Sequence, residues 1–404
     1  SMTLPFLGCL LLAGIHVYLG IHVLARQVIF VDLALAQIAA LGAVYGTLLG
    51  YDPGREVWAI KGFSLLFAVV GAGHIGKRHA EMIRRDSEGE LVAMVDVRSK
   101  EECAAEDFDV PFFKTVEELL ASGIEFDVVN VCTPNGFHAS QSLAALEAKK
   151  HVVCEKPMGL TKDSCEKMIF KSLQVSRQVF CVMQNRYSPP SIWLKTLCEQ
   201  KTLGAIYMVQ LNCYWNRDSR YYQSTGWKGT QHMDGGTLFT QFSHWIDILY
   251  WLFGDIKNIQ ARFSDFNHQN STDFEDSGLV SFEFEKGGMG CINYSTSVWD
   301  KNLESSLTIM AEHGSIKIGG QYMDQVEVCH VKNYTLPQLA PTNPANDYGA
   351  YKGSANNHHN VIENVIETLK GNQNVSTNAM EGLKVVDIIE RIYKHRKPEL
   401  IKHR

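Results

Sequence analysis

Two side chains in this sequence have the chemistry to oxidise an alcohol. Lys156 stands in Glu155-Lys156-Pro157, directly after an apolar run that begins at His151. An ammonium at a strand end of this kind can bond to a hydroxyl and stabilise the alkoxide that forms as hydride leaves the same carbon. By residue frequency alone a lysine there is more often an exposed surface group. His244 lies in an apolar stretch with Asp247 three residues on. Imidazole takes up a hydroxyl proton near neutral pH, although a histidine on such a face is equally often a satisfied core residue. An amine and an imidazole suffice for the proton half of the reaction. The hydride half needs an acceptor.

The acceptor is indicated by FAVVGAGHIGKRHA, residues Phe67 to Ala80. A short apolar run leads into Gly71, Gly73 and Gly76, with His74 and Ile75 between the last two, and a helix-forming stretch follows. The first glycine lets the chain reverse, the second leaves room for a pyrophosphate, and the third lets helix and strand pack closely. The anion then rests on the free amides of the helix N-terminus. Glycines at this spacing also occur in unrelated tight turns. Asp96 adds weight, because it closes the next apolar run, twenty residues beyond Gly76, where a carboxylate accepts both hydroxyls of an adenosine ribose. That favours NAD over NADP, while Arg98 could pair with a 2′-phosphate and pulls the other way.

These residues need a scaffold, and the pattern from Phe67 onward supplies one. Apolar strands at 67–70, 90–97, 126–132, 151–156 and 179–187 alternate with helical stretches. Thr115 to Ala121 suits a short helix, a polar loop and helix follow Asp96, and Thr161 is placed to cap another helix. This predicts a doubly wound parallel sheet. After Pro189 and Pro190 the pattern changes. Strands at 206–215, 256–266, 278–284, 289–298, 305–311 and 326–331 with turns at 285–288 and 312–314 predict a mostly antiparallel sheet. A helix at 237–253 carries His244, 336–351 reads as a surface loop, and helices at 357–370 and 377–394 end the chain. The fold class is therefore α/β, with a dinucleotide-binding domain at 63–187 and an α+β substrate and oligomerisation domain at 188–404. Between strand and helix, Tyr214 to Lys228 is rich in aromatics and cations, including Arg217, Arg220, Tyr221, Tyr222, Trp227 and Lys228. Such a loop can stack on a ring and hold a diphosphate, or form an interface.

The chain has 404 residues, 45% hydrophobic and 20% charged, with net charge −6, so it buries ordinary cores and shows no basic excess for nucleic acid. Its ten cysteines form no C-x-x-C pair, so neither a zinc site nor a disulfide framework is expected, and a reducing, cytoplasmic setting fits. Residues 1–62 differ in character. Thr3 to Ala25 carries no Asp, Glu, Lys or Arg, and Val28 to Gly50 only Asp32. Each is long enough to cross a bilayer, so this segment is either a membrane hairpin, a pair of buried helices, or a stretch foreign to the working enzyme. His22 to Ala43 resembles the opening spans of the membrane subunit of metal-ion ABC transporters, without enough further spans to form a path.

From Phe67 on, the glycine turn, Asp96, VCTPNGFHA, CEKP, QNRY and DGGTLFTQFSHWIDILYWLFGD together resemble the glucose-fructose oxidoreductase and inositol dehydrogenase (Gfo/Idh/MocA) family, with the motifs in the family's order. The resemblance implies a Rossmann domain, an open-faced α/β domain and a nicotinamide between them. It implies Lys156 facing the substrate, His244 as acid/base, and Thr133, Asn135, His138, Glu155 and Gln184 along the cofactor. Arg186, Tyr187, Trp227, Lys228, Thr240 and His359 would face the substrate. Many relatives carry Asp four residues before the histidine, where this chain has Thr240. That departure, with Gly226 to Thr230, resembles the branch that oxidises nucleotide-linked amino sugars, such as UDP-N-acetylglucosaminuronate 3-dehydrogenases. The expectation is an NAD-dependent sugar dehydrogenase assembled as a homodimer or homotetramer. The alternatives are a polyol or inositol dehydrogenase and a cofactor-binding regulator or scaffold without turnover.

Overall fold

The computed structural model describes residues 64–222, 226–349 and 351–397. The apolar segment at 1–62, with the membrane and transporter readings attached to it, lies outside them. Among the described residues no helix is long and apolar enough to cross a membrane.

The first sheet contains β1 (Leu65–Val70), β2 (Gly89–Val95), β3 (Phe112–Phe113), β4 (Val128–Val131), β5 (His151–Cys154) and β6 (Val179–Cys181), in the order β3-β2-β1-β4-β5-β6. Every pairing is parallel. β4 is buried at all four positions, as expected of a strand covered on both faces. The covering helices are α1 (His74–Arg85), α2 (Val116–Ala121), α3 (His138–Glu147) and α4 (Lys162–Val175). Thr115, foreseen as the start of a helix, instead caps α2 by accepting from Glu118 N, and Thr161 caps α4 as expected by accepting from Ser164 N. The order of strands reverses between β1 and β4, and a crevice opens there at the carboxyl ends of the strands.

The second sheet has the order β13-β12-β11-β7-β10-β9-β8, with β7 (Ile206–Tyr214), β8 (Ile256–Ser264), β9 (Ser277–Phe284), β10 (Met289–Ser295), β11 (Glu304–Ala311), β12 (Gly314–Gly319) and β13 (Gln325–Val331). Only β7 and β10 pair in parallel. Buried positions alternate along β9 and β10, so one face packs and the other does not. The packed face receives α5 (Pro189–Glu199), α6 (Thr237–Thr240), α7 (Ser243–Phe253) and α9 (Ala379–Tyr393). α8 (His358–Leu369) lies instead against α1 of the first sheet.

Five points need correction. The strand foreseen at 179–187 stops at Cys181, and Gln184–Tyr187 winds into a 3₁₀ turn that buries Arg186 against Asp247. The helix foreseen at 237–253 breaks at Gln241 and Phe242, where the Gln241 side chain is drawn to Arg217 and Tyr221. β12, a short strand bounded by glycines, was not foreseen, and residues 99–107 form turns rather than a helix. The supposed surface loop at 336–351 contains β14 (Ala345–Asp347), which pairs with β15 (Lys352–Ala355) and brings Tyr348 and Tyr351 inward.

Candidate active site

The glycine turn has the shape its sequence requires. Gly71 has φ +94°, and a Cβ there would stand 2.7 Å from the Cys132 backbone. A Cβ on Gly76 would stand 1.7 Å from Gly71 O, so α1 packs on the turn only because this residue is glycine. Gly73 has nothing within 4 Å of its Cβ position, which leaves open space in front of an α1 N-terminus without a side-chain cap. Asp96 follows β2. Its Oδ2 accepts from Ala72 N at 2.9 Å, and Arg98 reaches both carboxylate oxygens at 3.1 Å. Burial pushes the carboxyl up, but the bonds from Arg98 and Ala72 outweigh it and hold the group below its usual range. Arg98 is thus engaged by Asp96. A cradle of free amides with a carboxylate at the adjoining strand end fits NAD: Gly71, Gly73 and the start of α1 would seat the pyrophosphate and Asp96 the adenosine ribose.

A cavity of about 950 Å³ runs from this turn to the helices of the second sheet, lined by Gly71, Gly73, His74, Ile75, Asp96, Arg98, Thr133, Asn135, His138, Glu155, Gln184 and, from the other side, Trp227, Lys228, Thr240 and His244. Lys156 joins them from the end of β5 and donates from Nζ to Thr240 O at 2.6 Å. Burial lowers its pKa, with Glu155 opposing. His244 is 2% exposed, and neither ring nitrogen has a protein partner. Burial first and the nearby Lys156 second hold its pKa well below the usual value, so the ring is neutral and free to accept a proton. The structure therefore brings the amine and the imidazole to one cavity.

Beneath Lys156, the Glu155 carboxylate accepts from His79 Nε2 at 3.0 Å and from the Lys156 backbone N at 3.1 Å. His358 Nε2 stands 3.5 Å from the same carboxylate, beyond ordinary bonding distance, and its ring nitrogens have no other protein partner. His138 faces two carbonyls, those of Thr133 (2.8 Å) and Pro157 (2.7 Å), and its ring N–H bonds to one of them, so it braces the loop. Asn135 reaches across to the second sheet, donating to Asp234 O at 2.9 Å and Thr240 Oγ1 at 2.7 Å. Gln184 donates to Ser354 Oγ at 3.2 Å.

Three expected substrate contacts are not brought to the cavity. Arg186 is buried in ion pairs with Asp247 (2.6 Å) and Glu381 (2.8 Å). Tyr187 packs on the hydrophobic cluster beneath α1. His359 opens onto a different groove, while its neighbour His358 takes the place facing the cofactor turn. Among the loop cations, Arg217 is committed to Gln241, Asn216, Asn302 and Lys352, and Arg220 pairs with Asp218 at the surface. Lys228 differs. Its ammonium sits 3.9 Å from the Tyr221 ring centroid and 4.8 Å from that of Tyr351, with one long bond of 3.3 Å to Tyr351 Oη. Burial and then Arg217 lower its pKa to about 8.

Sequence reasoning missed Asp234, which is fully buried and pushed up to about 6 by burial. It also missed Tyr348, stacked on Tyr351 at 5.0 Å and edge-on to His74 at 5.6 Å. The signal for Asp234 was its place before the Gly235-Gly236 pair. For Tyr348 it was the Tyr-x-x-Tyr spacing in an otherwise polar loop.

Residues 65–181 match the model of an oxidoreductase family with an NAD-binding Rossmann fold, and residues 192–317 match the GFO/IDH/MocA C-terminal domain. The WlbA dehydrogenase of Bordetella pertussis, solved with NADH and UDP-GlcNAcA, is similar at 29% identity and TM-score 0.72 over 82% of this chain and 96% of that one. The D-glucoside 3-dehydrogenase of Escherichia coli is 28% identical over 56% of this chain and 68% of its own length. The inositol 2-dehydrogenase of Klebsiella pneumoniae is 28% identical over 55% and 65% respectively, so the chain spans about two thirds of these curated relatives. With both halves matched in order around a cradle suited to NAD, the chain belongs to the GFO/IDH/MocA family and is an NAD-dependent oxidoreductase.

Proposed function

We propose that this protein oxidises a ring hydroxyl of a nucleotide-linked N-acetylated sugar, or of its uronate. The observation that carries the reading is that one cavity is lined by both a neutral imidazole with no protein partner, at His244, and the Lys156 ammonium. NAD, when bound, takes up the hydride at its nicotinamide ring. His244 accepts the hydroxyl proton. Lys156 donates to the same oxygen and holds it as charge develops, which is the larger electrostatic contribution. Lys228, a half-buried cation whose one hydrogen bond among the described residues is long, supplies the attraction for an anionic group on the substrate, a carboxylate or a diphosphate. The similarity to a dehydrogenase solved with UDP-GlcNAcA supports the same class. Thr240 in place of an acid disfavours the polyol reading that the inositol 2-dehydrogenase relatives support.

The test is a panel of UDP-N-acetylglucosaminuronate, UDP-N-acetylglucosamine, methyl glucosides and myo-inositol, each offered with NAD while NADH absorbance is followed. Fastest turnover of a nucleotide sugar is expected. Preference for myo-inositol would replace the substrate class, and tight NAD binding with no oxidation of any compound would favour a regulator without turnover.

A further inference from the structure

Asp234 is the buried acid closest in sequence to Thr240, and the chain brings its carboxylate back to the Thr240 hydroxyl. Gly235 and Gly236 have φ +87° and +133°, conformations that reverse the backbone so that Asp234 faces Thr240, six residues on. The Thr240 hydroxyl donates to Asp234 Oδ1 and accepts from Asn135 Nδ2 at 2.7 Å. Asp234 Oδ2 is held by Gly229 N at 2.8 Å, so the carboxylate is fixed at both oxygens. Thr240 in turn presents its backbone carbonyl to Lys156 Nζ at 2.6 Å. One threonine therefore joins a buried carboxylate, the amine on the cavity wall and an asparagine from the opposite sheet.

We propose that Asp234 is a positioning residue for the reaction: acting through Thr240, whose carbonyl holds Lys156, it sets the direction of the Lys156 ammonium. This rests on the role proposed for Lys156. A carboxylate one residue removed from the cavity leaves Thr240 presenting a hydroxyl and a carbonyl there, neither of which carries a net charge. An aspartate at position 240 would place a negative charge on the lining of the cavity that also holds Lys228, whereas Asp234 behind Thr240 keeps the anchor without that charge.

The experiment measures kcat, KM for UDP-N-acetylglucosaminuronate, NADH affinity by fluorescence and thermal midpoint for Asp234→Ala, Thr240→Val, Thr240→Ser, the Asp234→Ala/Thr240→Val double variant and Lys156→Met. Asp234→Ala and Thr240→Val are each expected to lower kcat by about 10- to 50-fold with NADH affinity within about threefold. Thr240→Ser, which keeps the hydroxyl, should retain at least about half of kcat. The double variant should be no worse than the poorer single one, as expected of groups acting in one chain. Additive losses, unchanged kcat in either single variant, or a fall in NADH affinity matching the fall in kcat would overturn the proposal. Should Asp234→Ala fail to fold, the isosteric Thr240→Val against Thr240→Ser decides it alone. If Lys156→Met loses turnover while both Asp234→Ala and Thr240→Val retain it, only this inference fails. If Lys156→Met also retains turnover, the reading of the reaction fails with it.

Discussion

The two sheets contribute to the cavity in opposite ways. In the parallel sheet the candidate groups sit at strand ends: the glycine turn after β1, Asp96 after β2, Thr133 after β4, Glu155 and Lys156 after β5. In the second sheet almost none does. His244 is on α7, Thr240 on α6, Lys228 in a loop, and Tyr348 and Tyr351 on the turn between β14 and β15. A parallel sheet covered on both faces leaves only its edges and strand ends for a ligand. A sheet packed on one face instead serves as a floor, and the groups are carried by what lies on it. The candidate cofactor residues are thus placed by local backbone, and the candidate substrate residues by long-range packing.

The largest test of that contrast is at Gly76. A Cβ there meets Gly71 O at 1.7 Å, backbone against backbone, so Gly76→Val should both destabilise the first sheet, by about 3 kcal/mol or more, and raise the NAD dissociation constant about 100-fold. Calorimetry and titration check both, and an intact thermal midpoint would show that the turn has room the structure denies it. Next is Lys156→Ala, expected to lower turnover about 100-fold while leaving NAD affinity nearly intact. Unchanged turnover removes the lysine from the chemistry. Gly73→Ala separates seat from scaffold. With φ −72° and nothing within 4 Å, the variant should fold with an unchanged thermal midpoint yet lose at least about tenfold in NAD affinity, because the methyl occupies the phosphate's space. Unchanged affinity would move the pyrophosphate elsewhere.

The same contrast explains what could be read from the sequence. The turn from Phe67 to Ala80, Asp96, the cap at Thr161, the short helix after Thr115 and most of the strands were legible because each depends on neighbours within a few residues. Arg186 looked like a substrate contact because its partner Asp247 is 61 residues away and nothing local announces the pair. His358 and His359 differ by one helical step of about 100°, which turns one toward the cofactor side and the other to a separate groove. Asp234 was illegible for a further reason, since its reach to Thr240 depends on two successive positive-φ glycines whose direction the sequence does not state.

The smallest expected effect bears on the substrate side alone. Lys228 is charged below about pH 8 and neutral above it, because burial disfavours the ammonium. An anionic substrate binds the charged form and holds the proton there, so the loss appears in kcat/KM, which reports the free enzyme, and not in kcat. Between pH 7 and pH 9 kcat/KM for a nucleotide sugar should fall by at most about tenfold, the ratio of protonated fractions for a group titrating near 8. Lys228→Arg keeps its charge throughout and should flatten the profile, at some cost in fit between Tyr221 and Tyr351. His244 contributes no fall on the acid side near its ordinary value, since burial already keeps it neutral there. A decline above pH 8 that survives in Lys228→Arg belongs to another group; if that group is Lys156, whose pKa burial also lowers, the decline would be seen in kcat as well.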